Sequence, residues 1–180
     1  MVLESDEAPD IRQTHRTISG IETKIAMIDE TDRRLLALLQ NDARQTIKSL
    51  AERIGVAPST CLERIRSLQH RRVITGFHAE VDPVAVGRRL QAMVSVRMNP
   101  KTDAVVERFI DHVWTLPETM SVTLLSGIDD VAVHLGVVDT DHLRRIVLSE
   151  IASHPGVVDE RTSLVFAHRR KHDLGVLPGT

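Results

Sequence analysis

Aromatic residues are nearly missing from this chain. Its 180 residues include three Phe, one Trp and no Tyr. Proteins that hold single strands or RNA loops stack the bases on aromatic rings. Phe77, Phe109, Trp114 and Phe166 are too few for that, and the core must be aliphatic. A lone cysteine, Cys61, excludes an intrachain disulfide and a cysteine-based zinc site. No apolar run approaches the roughly 20 residues of a membrane helix. The N-terminus is acidic, where an export signal would be basic and then apolar. The expectation is a cytoplasmic chain with no membrane contact. With 42% hydrophobic and 27% charged residues, the composition is that of a globular protein of one or two domains.

One stretch stands out, TIKSLAERIGVAPSTCLERIRSLQHRR at 46–72. Ile47, Leu50, Ala51 and Ile54 recur at the spacing of one helix face. Thr46 suits the N-cap, and Gly55 follows where a left-handed C-terminal residue is wanted. Pro58 sits where a second helix would begin, since its fixed φ suits a first turn. In that helix Leu62, Ile65 and Leu68 form a narrow apolar stripe, with Cys61 beside it. The spacing predicts a helix-turn-helix whose second helix enters the DNA major groove.

Charge points the same way. Residues 44–72 hold seven Lys/Arg and two acids, a net of +5, while the whole chain is −2. A basic module in an acidic chain is a footprint for phosphates. Ser59, Thr60, Glu63 and Arg64 are expected to face the groove. Arg44, Lys48, Arg66, Ser67, Arg71 and Arg72 are expected beside them or near phosphates. On pattern alone, an ordinary helical hairpin with a solvated basic face is the alternative.

The run from Arg44 to Gly87, and LAERIGVAPSTCLERIRSL above all, resembles the DNA-binding domain of the Lrp/AsnC (feast/famine) transcriptional regulators. The resemblance continues to about Arg170. It implies an α+β chain with a winged helix-turn-helix domain, a hinge, and a ferredoxin-like βαββαβ ligand-sensing domain of the RAM/ACT-like kind. It also implies double-stranded DNA as partner, an amino acid as effector, and homodimers that assemble further, often to octamers.

In chain order, residues 1–27 read as a mobile arm without sustained period, with a passive tail as the plain alternative. Residues 28–81 form the DNA-binding domain, opened by Asp29 as N-cap with Asp32 in the first helical turn. Val73, Ile74 and Phe77 suit two short strands around a turn. A hinge follows at 82–89. Residues 90–170 then alternate in the order β-α-β-β-α-β: strand candidates at 90–98, 118–127, 130–139 and 157–168, helix candidates at 103–114 and 141–154. One face of such a sheet is bare. Its alternating aliphatics would need cover from a second copy of the chain. Residues 171–180 read as a loose tail.

Three positions depart from the family pattern. Ala57 stands where Ser is usual before the proline and cannot cap. Arg72 stands where Gly usually ends the recognition helix, so it must adopt φ > 0 or let the helix run on. Val131 stands where an aromatic often follows the Gly-x-x-Asp turn.

That turn, Gly127 to Asp130, is the candidate effector site. Its glycine can bring backbone amides to a carboxylate, and Asp129 or Asp130 can pair with an ammonium. The resemblance places it between subunits and adds, by position, Thr119, Ser121, Thr162 and Ser163. A plain hairpin turn is the alternative.

Other constellations carry less. His168 and His172 are four apart, but no carboxylate completes a metal set. Asp129 and Asp130 lack the nucleophile that an acid/base pair would serve. No catalytic residue and no cofactor is expected. Two readings stay open, a ligand-responsive transcriptional regulator and a stand-alone amino-acid-binding or enzymatic βαββαβ protein whose helical half is an interaction module.

Overall fold

In the computed structural model, described over residues 28–177, α1 (Glu30–Asn41) begins where Asp29 accepts the Asp32 N–H at 2.7 Å. The arm expected at 1–27 lies outside the described residues. Helix α2 (Ile47–Ile54) opens on Thr46, whose Oγ1 accepts the Ser49 N–H at 3.2 Å. It closes on Gly55 at φ 76, the left-handed cap that glycine adopts without a Cβ penalty. Helix α3 (Pro58–His70) starts with proline, and Ala57 gives it no side-chain cap. Leu35, Leu39, Leu50, Ala51, Ile54, Cys61, Ile65 and Leu68 make the core of this helical unit. Cys61 is central in it, while Leu62, expected in the stripe, is only half-buried.

Residues 73–77 form no strand, contrary to the expectation of a two-stranded wing. The Val73 and Ile74 amides both donate to the Leu68 carbonyl, at 2.8 and 3.2 Å. That folds the chain back on α3 and removes those donors from any ladder, while both side chains pack on the helical core. Residues 171–177 carry no helix or strand. They group with the helical unit, and the Leu174 backbone pairs both ways with the Gln40 amide.

The second unit spans residues 78–170. The expected hinge at 82–89 is a structured turn. Asp82 accepts the Val84 N–H at 2.9 Å, and Arg88 donates to the Pro117 and Glu118 carbonyls. Then come β1 (Leu90–Met98), α4 (Asp103–Trp114), β2 (Thr119–Leu124), β3 (Val131–Val137), α5 (Thr140–Ile146), a π-helical continuation at Val147–Ala152, and β4 (Val157–Leu164). The sheet order is β2-β3-β1-β4, every neighbouring pair antiparallel, which is the ferredoxin-like split. Ala92, Val94, Val96 and Met98 alternate with Val131, Val133, Leu135 and Val137 against Phe109, Ile110, Val113, Leu143, Val147 and Ile151.

The opposite face corrects an expectation. It is polar rather than aliphatic. Register pairs Met93 with Ser163, Ser95 with Arg161 and Arg97 with Asp159, and sets Gln91 beside Gly136 and Met93 beside His134. A Cβ at Gly136 would lie 2.8 Å from Met120 Sδ and 2.9 Å from Arg88 Cδ, so both side chains would have to shift to admit one.

Candidate nucleic-acid interface and effector turn

Helix α3 presents one continuous outer stripe. Ser59, Thr60, Glu63, Arg66 and Ser67 are all exposed, and so is His70. Their steps of three and four keep them on one face. His70 was not among the expected contacts, although its spacing from Arg66 and Ser67 puts it there. Lys48 is exposed in the first turn of α2, and Arg44 is exposed just ahead of it. Hydroxyls, a carboxylate and a guanidinium on one helix face are the groups that read base edges, and the flanking cations suit phosphates.

Arg64 is not on that stripe. Its Nη1 donates to Asp29 Oδ2 at 2.7 Å and to Asp32 Oδ1 at 2.8 Å. The expectation that it faces the groove is therefore corrected. Asp32 is buried, so its carboxylate attracts a cation from inside the unit more strongly than solvent does. The Asp32 N–H, and after it Arg64, hold the Asp29 carboxyl below its ordinary pKa. Arg71 Nη1 stands 3.7 Å from the other Asp32 oxygen. Arg72 resolves the choice left by its missing glycine. It adopts φ 54, so the helix stops.

The effector residues do not come together in one chain. The Gly127–Asp130 turn joins β2, an edge strand, to β3, a central one. Thr119 and Ser121 lie on that edge. Thr162 and Ser163 lie on β4, the other edge. Three strand spacings separate the edges, roughly 14 Å. The Thr119 hydroxyl is already donated to the Val113 carbonyl. Thr162 donates to Glu160 at 3.2 Å, while Ser121 and Ser163 are exposed.

The two aspartates have separate duties. Asp130 is buried. It accepts the Met98 N–H at 2.8 Å and stands 2.8 Å from Lys101 Nζ. Burial raises its pKa, but Lys101 and the Met98 amide outweigh burial and hold the carboxyl below its ordinary value. It is a structural anchor, which corrects its assignment as an ammonium ligand. Asp129 is half-buried and pairs with exposed Arg161, which donates to both its oxygens at 2.5 and 2.7 Å. A Cβ at Gly127 would meet nothing within 4 Å, so nothing within the chain demands glycine there. Among the described residues, no group of three or more His, Cys, Asp or Glu is placed to hold a metal.

A model of the AsnC-type helix-turn-helix domain matches residues 28–69, and one of the Lrp/AsnC ligand binding domain matches residues 91–173. The HTH-type transcriptional regulator AldR of Mycolicibacterium smegmatis is 40% identical over 161 residues, covering 86% of this chain and 94% of AldR. The chain belongs to the Lrp/AsnC family. The leucine-responsive regulatory protein of Escherichia coli K12 is 33% identical, covering 77% of this chain and 84% of its own length. The crystal structure of a Neisseria meningitidis transcriptional regulator in complex with L-Met matches with a TM-score of 0.72 at 31% identity. It covers 79% of this chain and 92% of that one. The fold is thus an N-terminal helix-turn-helix domain followed by an α+β ligand-binding domain. Its named relatives are transcriptional regulators, and so is this chain; it is not an enzyme. No helix among the described residues is long and apolar enough to cross a membrane.

Proposed function

We propose that this Lrp/AsnC regulator controls genes of amino-acid metabolism in the cytoplasm and answers to an amino acid as effector, with no other cofactor. The observation that supports the effector is the likeness of its second unit to a domain whose structural relative is a complex with L-Met. It acts on duplex DNA as a homodimer that assembles further, to an octamer. One helix-turn-helix reads only a few base pairs, and two copies about one DNA turn apart read a palindrome.

The effector reading centres on Asp129. Its ion pair with Arg161 lies at the surface, side chains 21% and 58% exposed, where solvent weakens it. A zwitterion is complementary to both members. Its ammonium replaces Arg161 at Asp129, and its carboxylate takes the guanidinium. Thr119, Ser121, Thr162, Ser163 and the Gly127 amide are further contacts in a site between copies.

A thermal-shift screen over the twenty amino acids tests this, followed by mobility shifts on the protein's own upstream DNA with and without the hit. Gly127→Thr is the probe of the turn, because a Cβ there meets nothing within 4 Å. It should fold as wild type and lose the ligand-induced shift. Wild-type calorimetric affinity in that variant would move the site away from the turn. No shift with any amino acid would remove the effector reading and leave DNA binding intact.

A further inference from the structure

Helix α3 is seated by few groups. Cys61, Ile65 and Leu68 are its buried residues, a narrow stripe, and Ala57 leaves its N-terminus without a side-chain cap. A narrow apolar stripe resists separation of helices better than it resists roll about the axis, since apolar contact has no direction. Side chains reach about 5–6 Å from a helix axis, so a 20° roll moves their tips by about 2 Å. That displacement breaks hydrogen bonds to base edges, which tolerate only a few tenths of an ångström.

One directional contact, supported by a looser ion pair, opposes that roll. Arg64 Nη1 bridges Asp29 and Asp32 at 2.7 and 2.8 Å, and Arg71 Nη1 stands 3.7 Å from the second Asp32 oxygen. Asp32 is 4% exposed and fixed by the first turn of α1. Arg64 lies within α3 and Arg71 at its C-cap, about two turns further along. One buried carboxylate therefore grips α3 at two points along its axis and constrains both roll and slide.

We propose that Arg64 is a positioning residue for DNA recognition, holding the Ser59–His70 stripe in its reading orientation through Asp29 and Asp32 without touching DNA. This rests on the reading that the stripe meets base edges.

The test uses the full chain, fluorescence anisotropy, a duplex of its own upstream DNA and a scrambled duplex of equal length. The variants are Arg64→Ala, Arg64→Lys, Asp29→Asn, and Arg64→Ala with Asp29→Asn. Asparagine caps a helix as well as aspartate, so Asp29→Asn keeps α1 and removes only charge. Losing an acid near DNA would by itself strengthen binding. The expected result is the reverse, a fall of at least five-fold in the operator-to-scrambled ratio for Arg64→Ala and a smaller fall for Asp29→Asn. Arg64→Lys keeps the charge but loses the planar guanidinium and its reach, and should lie between wild type and Arg64→Ala.

The double variant should be no worse than Arg64→Ala alone, because both act through one contact. The salt dependence of binding should stay that of wild type. A direct phosphate contact would instead flatten its slope by about 0.9. A flattened slope, or losses that multiply in the double variant, overturns the proposal in favour of direct contact. So does an unchanged ratio in variants with wild-type circular dichroism at the assay temperature. Should Arg64→Ala not fold, Asp29→Asn and Arg64→Lys decide alone. A wild-type chain that does not prefer its own DNA to scrambled duplex sinks the reading of α3 and this inference with it.

Discussion

Replacing Asp130 by alanine is expected to unfold the second unit at a markedly lower temperature. Asp130 joins three segments. Its carboxylate accepts the buried Met98 N–H at 2.8 Å and meets Lys101 Nζ at 2.8 Å. Its own N–H donates to Val96 at 2.9 Å, and its carbonyl accepts from Leu125 at 2.7 Å. Alanine keeps the two backbone bonds and leaves the Met98 amide unanswered, which costs about 1–3 kcal/mol. The Lys101 side chain is 55% exposed, so its ion pair adds at most about 1 kcal/mol. The sum is about 1–4 kcal/mol, or a Tm lower by about 4–30 °C for a unit of this size. Asp130→Asn keeps an acceptor for the amide and should recover at least half. Lys101→Ala should lower Tm by only about 5 °C. The carboxyl is held below its ordinary pKa, so its contribution is complete above about pH 4 and fades as pH falls through the folded value. Calorimetric melts read all of this. An Asp130→Ala chain melting within about 2 °C of wild type would refute the anchoring role.

Ala57→Ser should stabilise the helical unit by about 0.5–2 kcal/mol, because residue 57 has the extended backbone of a cap, φ −68 and ψ 148, and no side-chain acceptor. A flat or lower melting temperature would show that α3 gains nothing from a cap. Arg72→Gly relieves a left-handed residue at φ 54 and should raise Tm by an amount equivalent to about 0.5–1 kcal/mol, net of the added freedom of the unfolded chain. The same variant should weaken binding to all DNA alike, through the lost charge. Acidification should destabilise the second unit. Burial, then His168, depresses the pKa of His134, and burial chiefly depresses that of His154. The unfolded chain then takes up protons first, so stability is complete above about pH 6.5 and falls as pH drops towards the folded values. Melts from pH 7.5 to 5.5 should show a slope that His134→Gln makes shallower.

What was legible in the sequence was what local chemistry decides. Asp29, Thr46 and Gly55 cap as their residue types require, and β1 and α4 have their expected bounds, because alternation and helical spacing act within a few residues. What failed depended on distant partners. Val73 and Ile74 have strand propensity but no strand to pair with, since both amides reach back to Leu68. Arg64 looks like any cation on an outer helix face until α1 brings two carboxylates against it. Asp32 was readable as a first-turn acid suited to the helix dipole, while its burial under α3 was not. The sheet misled in the same manner. Most aliphatics of β1 and β3 belong to the helix-covered face, and the residues between them, Gln91, Ser95, Arg97 and His134 with Met93 and Ala132, set the character of the other.

That polar face and the strand order together constrain any effector site. Thr119 and Ser121 stand on one edge of the sheet, Thr162 and Ser163 on the other, with β3 and β1 between them. No rotamer change closes a gap of two intervening strands on a ligand as small as an amino acid. Either one pair takes no part, or the pairs come from different copies of the chain. In the second case the ligand binds only an assembled form, so its binding free energy and that of assembly are linked, each raising the other. The Asp129–Arg161 pair, open to solvent through Arg161, fits that logic better than buried Asp130 does. It can exchange an internal partner for a ligand without leaving a buried charge unpaired, whereas moving Asp130 would strip the Met98 amide of its acceptor.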